Sequence, residues 1–362
     1  MPDAVRRNYK IALHRDKTPL ASGRQQSFAA RWEELAGAAG HEIVPVDAYA
    51  HDVLDSCRQC DAFMWYFWNA PHSSELGKRL IAAIHHGIGL PTFPSWHTIW
   101  TFEDKTSQRY LLDAAEIPFP KTWVFWTRDA ADAFADSAAY PLVLKLDAGI
   151  TSRNVRLIST PAQAHAWIER LFSDGASALY PDLPRTLLGR TRDRIENAAR
   201  VLAGRRLKHH GGSRIQRGNI LFQEFLPDNA FDTRVTVIGD RAFAFRRMNR
   251  PGDFRASGSG RIDWDPGQID PAAIDLAFDV ARVLDTQVVA LDILRHREQL
   301  LVNEVSYYYE AWAVHSCPGQ WQKSGSGKRP QWIEGQVRPD DAIFAHFIQS
   351  LQHESGKPRL SS

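Results

Sequence analysis

The sequence predicts an α/β protein that takes on α+β character toward its C-terminus. Three observations predict it. In the first hundred residues, apolar runs of strand length alternate with segments of helical spacing, as in a parallel sheet with helices on its faces. After residue 219 the strand-like runs come in pairs joined by tight turns, which makes antiparallel hairpins. The chain has 362 residues, 44% hydrophobic and 24% charged, enough to bury a core in two or three domains.

The elements follow in order. Residues 9–14 (YKIALH) read as the first strand, and 24–39 as a helix with Phe28, Trp32 and Leu35 at helical spacing. Residues 41–47 and 60–69 read as further strands, and 74–86 as a helix running into GLPTFP. The aromatic run 63–68 reads as a buried central strand. A second unit begins near Thr101 with a helix over 105–115, the strand KTWVFW, another helix and the strand YPLVLKL. A basic segment without strand pattern comes next. A third unit begins at Asn219 with NILFQEFL, a hairpin turning at Gly239-Asp240, a Gly-rich loop, a helix over 271–284 and a second hairpin. The tail, 317–339, reads as loop. The expected domains are 1–100, 101–218 (carrying the basic insertion 185–217) and 219–362.

Composition removes several classes. No apolar run approaches the ~18 residues of a membrane span, and the opening residues lack the apolar stretch of a signal peptide. Three cysteines, Cys57, Cys60 and Cys317, are too few for a disulfide framework, so a reduced, cytoplasmic protein is expected. The formal net charge of +2 hides a cluster. Residues 185–217 hold ten basic side chains against Asp193 and Glu196, a local +8 that leaves −6 on the rest. That pattern suggests attraction to an anionic ligand, or else a solvated charged helix. The aromatics that stack single-stranded nucleic acid are absent from it, so nucleic acid is not the expected partner. Residues 325–329 (GSGKR) lack the earlier Gly and the Ser or Thr of a phosphate loop. Cys57-x-x-Cys60 has no second pair for zinc.

The second hairpin is the informative region. In VVALDIL, Val288, Ala290, Asp292 and Leu294 share one face; in LLVNEVS, Val302, Glu304 and Ser306 share one face. A turn centred near residue 298 would set Asp292 beside Glu304, where like charges repel. A divalent cation cures that repulsion, and two carboxylates plus nucleotide phosphates are what Mg²⁺ accepts. The first hairpin pairs Asp232 with Arg247 and Arg234 with Phe245 on one face. Two arginines inside a sheet need anions; Asp232 covers part of one and leaves phosphate to cover the rest. Arg255 lies just beyond, in PGDFRASGSGR, where glycines allow a ligand to come close. In PLVLKL, Leu142, Leu144 and Leu146 form a core face while Lys145 points the other way, ahead of the small-residue loop DAGITSRN.

In order, the chain carries FEDKTSQRYLLDAAEIPFPKTWVF, YPLVLKLDAGITSRNVRLI, ILFQEFLPDNAFDTRVTVIGDRAFAFRRMNRPGDFRASGSGR and ALDILRHREQLLVNEVS. That succession resembles the ATP-grasp superfamily, in the branch of glutathione synthetase and the ribosomal-protein glutamate ligases. Through DFRASGSG and a late CPGxW segment it is similar to ATP-grasp proteins of surface-polysaccharide gene clusters. The resemblance spans roughly residues 90–345 and implies an ATP-grasp fold behind an N-terminal parallel-sheet domain. It implies that Lys105 and Lys145 bind ATP phosphates and that Gln223, Glu224, Phe225 and Leu226 form the hinge strand reading adenine. It further implies that Asp292 and Glu304 hold magnesium, and that Arg234, Arg247 and Arg255 steady the transferred phosphoryl group, with Asp232 at the nucleotide. Many members have Asn where this chain has Ser306, a poorer third metal ligand.

The implied activity is ATP-dependent joining of a carboxylate to an amine through an acylphosphate. ATP and Mg²⁺ are the expected cofactors, and a small-molecule, sugar-nucleotide or acidic-glycan carboxylate the expected substrate. A homodimer is left open. The alternatives are a kinase, which needs only an alcohol acceptor, and a non-catalytic anion-binding protein. Nucleic-acid binding by such a protein would weaken steeply with salt.

Overall fold

A computed structural model describes residues 7–16, 27–147, 154–178, 214–323, 325 and 328–354. The basic segment expected over 185–217 lies outside these residues up to position 213, as does most of the loop after Lys145.

The N-terminal unit is a parallel sheet of β1 (Lys10–His14), β2 (Glu42–Val46), β3 (Ala62–Met64) and β4 (Thr92–Phe93), in the order β2-β1-β3-β4. Helices α1 (Ala29–Ala39), α2 (Val53–Arg58) and α3 (Pro71–Ala82) make the crossovers. Two expectations are corrected here. The helix starts at Ala29, five residues later than read. The strand expected over 60–69 is only three residues long, because its partner β4 offers two residues to pair with. The aromatics beyond Met64 pack as rings instead: Phe67 against Trp65 at 5.1 Å and Tyr66 against Tyr307 at 5.7 Å.

The second sheet holds β5 (Thr122–Phe125), β6 (Leu142–Lys145), β7 (Val155–Ile158) and β10 (Ile220–Glu224), all antiparallel, in the order β5-β10-β6-β7. Helices α6 (Arg128–Ser137) and α7 (Pro161–Phe172) cover the face carrying Leu142, Leu144 and Leu146. Residues 155–178 thus contain a strand, a helix and β8 (Ala176–Ala178), which pairs with β9 (Arg214–Gln216), where no strand was expected. Arginines at positions 156 and 170 and the exposed Leu157 blur the apolar period there. The strand read as opening the third unit, β10, sits in the middle of this second sheet. The sheets therefore change over after Glu224, not at 218.

The third sheet runs β15-β14-β11-β12-β16-β17, with β13 (Ile262–Asp263) beside β12. Its hairpins are β11 (Phe231–Ile238) with β12 (Arg241–Met248), and β14 (Val288–His296) with β15 (Gln299–Ser306). Gly239 takes a positive φ of 58° in the first turn, as that tight connection requires. Helix Pro271–Val283 packs on one face, against Val235, Val289, Leu291 and Ile293. The other face changes character along its length. Ile238, Phe245, Val288 and Ala290 join the core of the N-terminal unit, with Trp32 and Phe93. Two to four residues further along the same strands, Arg234, Arg247 and Asp292 leave that core and line a cleft beneath the second sheet. The tail read as loop over 317–339 instead forms β16 (Gly319–Gln322) and β17 (Gln331–Glu334), and the helix Pro339–Glu354 follows it. Trp321 packs at a tilt against Trp332 across that hairpin, centroids 4.6 Å apart. No described helix is long and apolar enough to cross a membrane.

Candidate active site

The cleft between the second and third sheets gathers Lys105, Lys145, Gln223, Glu224, Phe225, Leu226, Asp232, Arg234, Arg247, Arg255, Asp292, Glu304 and Ser306 on its walls. Every site residue named from the sequence is therefore on one surface.

β6 presents Lys145 on the face away from its leucines. The side chain crosses to the third sheet, where Nζ donates to the Asn303 Oδ1 at 2.8 Å. Lys105 opens helix α5 (Lys105–Ala114), whose first turn is capped by Asp104 accepting from the Ser107 N–H at 2.8 Å. Its ammonium donates to Glu304 Oε1 at 2.9 Å.

Asp292 and Glu304 are direct cross-strand neighbours, as expected, but for a different reason. The turn is Arg297–Glu298, not centred on 298, since His296 pairs with Gln299. Carried back without interruption, that register would set Asp292 opposite Asn303. An irregularity past Ile293 slips it by one residue, leaving Asn303 as the extra residue of a β-bulge and Glu304 opposite Asp292. The bulge puts Asn303 and Glu304 together on the cleft wall. Asn303 was not foreseen, because strict alternation assigns it to the opposite face.

The arginines find their anions within the protein. Arg247 makes a bidentate pair with Asp232, Nε–Oδ1 2.8 Å and Nη2–Oδ2 2.6 Å, and its Nη2 also reaches Asp292 Oδ2 at 2.6 Å. Arg234 donates through Nε to Asp292 Oδ1. Asp292 thus covers much of what Asp232 leaves bare, the part that phosphate was expected to be able to cover. The Asp292–Glu304 repulsion, for which a divalent cation is the usual cure, is also offset within the protein, since each carboxylate has basic partners. Arg255 forms a bidentate pair with Asp253, at 2.8 and 2.9 Å, so its fork is engaged locally. Ser306 Oγ accepts from the Tyr308 N–H at 3.1 Å and donates to the Tyr308 carbonyl at 2.9 Å. Its hydroxyl is spent on the turn after β15, which argues against it as a third metal ligand.

Inside the cleft, Lys105, Lys145, Arg234 and Arg247 face Asp232, Asp292 and Glu304. Burial pushes the Lys145 ammonium down to about 8, more than the nearby Glu304 restores. Burial opposes charge on Lys105 too, yet Glu304 at contact distance wins and holds it above the ordinary lysine value. Burial alone would raise Glu304 and Asp292; Lys105 lowers the first, and Arg234 and Arg247 hold the second well below the carboxylate range. Among the described residues, Lys145 is thus the cleft cation with no carboxylate at contact distance, poised to gain stability from an incoming anion.

That poise gives a first prediction. A bound triphosphate should raise the Lys145 pKa, so nucleotide binding should take up protons at pH 8–9 and affinity should fall as pH rises through that range. Calorimetry at pH 8.5 in buffers of different ionisation enthalpy reads the uptake directly; none, with affinity flat to pH 9.5, would remove Lys145 from the anion site.

At the other end of the cleft, β10 pairing stops at Glu224, and Phe225 and Leu226 continue along the wall. The Glu224 carboxylate accepts from the Lys121 N–H at 2.7 Å, and Gln223 donates to Thr122 Oγ1 at 3.0 Å. Phe225 meets Phe254 edge-on at 5.6 Å. Phe254 lies in the DFRASGSG run, directly before Arg255.

Residues 199–309 match the model of the RimK-like ATP-grasp domain. Two solved structures share the architecture. A RimK domain ATP-grasp protein from Sphaerobacter thermophilus DSM 20745 superposes with a TM-score of 0.50 at 19% identity, covering 84% of this chain and 93% of that one. The ATP-grasp ligase PsnB, complexed with minimal precursor, Mg and ADP, gives 0.52 at 14% identity over 93% and 98% of the two chains. The chain has the ATP-grasp fold. Within it, the RimK-like match contains β10, the hairpins β11–β12 and β14–β15, Arg255, Asp292 and Glu304, while Lys105 and Lys145 precede it. A probable alpha-L-glutamate ligase of Hahella chejuensis (strain KCTC 2396) is 34% identical over 92 residues, which is 25% of this chain. The chain spans about 30% of that relative's length in the match.

Asp292 and Glu304 fit a Mg²⁺ ion by the chemistry of their donors, hard oxygens side by side on an anion-seeking wall. Among the described residues no group of three or more His, Cys, Asp and Glu is placed to hold a metal by itself, so phosphate oxygens would complete such a site.

Proposed function

We propose that this ATP-grasp protein is an ATP-dependent carboxylate–amine ligase. The observation that carries the proposal is the single cleft uniting two lysines, two arginines and the Asp292–Glu304 pair beside β10. A carboxylate oxygen attacks the γ-phosphorus of ATP; the bond to the ADP oxygen breaks, giving ADP and an acylphosphate. The amine nitrogen then attacks the acyl carbon and phosphate leaves. The amide retains one N–H, and the protons lost from nitrogen pass to phosphate and solvent.

The protein's part is electrostatic and positional. Lys145 and Lys105 hold phosphate oxygens, and Phe225 and Leu226 lie where an adenine would sit. Arg234 and Arg247, fixed by Asp292 and Asp232, keep positive charge beside the transferring group. Magnesium held by Asp292 and Glu304 would neutralise charge on the nucleotide phosphates. The second sheet over the cleft excludes water that would hydrolyse the acylphosphate. A cytoplasmic setting belongs to this reading, since Cys57, Cys60 and Cys317 are buried thiols. An acidic glycan as the carboxylate rests only on the basic segment, outside the described residues through 213.

Hydroxylamine tests the proposal. With Mg-ATP and a panel of amino acids, dicarboxylic acids and uronic acids, the enzyme should form ADP and a hydroxamate with at least one acid. ADP formation only with alcohols, with a phosphate monoester visible by ³¹P NMR, would make the protein a kinase.

A further inference from the structure

Three carboxylates at the phosphate end of the cleft each have a cation at contact distance: Asp232, Asp292 and Glu304. Glu310 does not. It stands on the same cleft wall, six residues beyond Glu304, at the start of the short helix Ala311–His315. Its carboxylate accepts a hydrogen bond from the Trp312 side chain, and the charged neighbour it senses is Arg234, already bound to Asp292. Tyr308, two residues earlier, shares the cleft with it and is held by stacking on Tyr66, centroids 5.9 Å apart. Trp312 is 45% exposed and braced edge-on by Trp264 at 6.2 Å.

A carboxylate open to a cleft, with no cation at contact distance among the described residues and an aromatic ring beside it, is a site for an organic cation. The carboxylate supplies the charge, the Tyr308 ring attracts an ammonium through its quadrupole, and the Trp312 N–H holds the carboxylate in place. A metal ion would need further hard oxygen donors, and here the neighbours are rings. We propose that Glu310, with Tyr308 and Trp312, binds the ammonium group of a primary amine, the nucleophile of the ligase. This rests on the ligase reading and adds to it the place from which the amine approaches. Arg234 links the two regions: it is in contact with Asp292 and in the field of Glu310, so an amine held there lies next to the phosphoryl-transfer end.

The experiment uses the full chain and n-butylammonium as probe, with n-pentanol as a neutral probe of similar shape. Saturation-transfer NMR titrations should show saturable binding of n-butylammonium and at least tenfold weaker binding of n-pentanol. Glu310→Gln should weaken n-butylammonium binding at least tenfold and Trp312→Leu several-fold. Both variants should keep ATP affinity within twofold, which separates loss of the ammonium contact from loss of the fold. Equal binding of the two probes, or undiminished n-butylammonium binding by Glu310→Gln, would overturn the subsite while the hydroxamate result left the ligase reading standing. Absence of hydroxamate in the wild type would count against the ligase reading itself.

Discussion

Asp292→Asn should cost about 3–5 kcal/mol of folding stability and abolish turnover. The Asp292 side chain is 5% exposed and is shared by Arg234 and Arg247, themselves 15% and 11% exposed. The asparagine keeps the shape but removes the charge. Arg234 is left with no carboxylate at contact distance, and Arg247 keeps only Asp232. Desolvated guanidinium groups without their counter-ion account for the cost, whereas a surface pair would be worth ~1 kcal/mol or less. The pH dependence checks the assignment. The folded carboxyl lies below its unfolded value, so its stabilisation is fully present above the unfolded pKa near ~4 and is lost as pH falls below it. Urea melts should therefore show the variant far weaker at pH 7 and the gap narrowing in strong acid. A variant as stable as wild type at pH 7 would mean that the arginine network contributes nothing.

Lys145→Ala should do the reverse, sparing the fold and damaging nucleotide binding. Burial works against the Lys145 ammonium, which brings its pKa down to about 8, so the charge is a burden on the unliganded protein. Between pH ~8 and ~10.5 the unfolded chain binds the extra proton, and wild-type stability should rise with pH there. Alanine removes that dependence together with the contact to Asn303. What it forfeits is a charge-assisted contact to phosphate worth ~1.5–3 kcal/mol, or roughly 10- to 200-fold in affinity. The contrast with Asp292→Asn separates an arginine-clamped carboxylate that holds the sheet together from a lysine held ready for a ligand.

Hairpins were the most legible part of the sequence, because period-two alternation and a Gly-Asp turn determine both register and face. The pairing of Asp232 with Arg247 and of Arg234 with Phe245 follows from them directly. The Asp292–Glu304 pairing was reached by a turn placed half a residue too late, and the bulge at Asn303 makes up the difference. Alternation carries no mark of a bulge, so Asn303 stayed hidden. The membership of β10 was equally hidden: NILFQEFL is a strand by any pattern, but its pairing with β5 and β6 depends on residues some 75–100 positions earlier. Partner choice in the charged cleft is also non-local. Lys105 and Glu304 are 199 residues apart, and only the packing of α5 beside β15 brings them together.

Isothermal titration of Mg-ATP into wild type and Lys145→Ala at pH 7 tests the central claim most directly, that this cleft is a nucleotide site built around Lys145. Saturable binding by the wild type, weakened 10-fold or more by a variant that melts within a few degrees of it, is the result the structure predicts. No binding by the wild type, or equal binding by the folded variant, would contradict it.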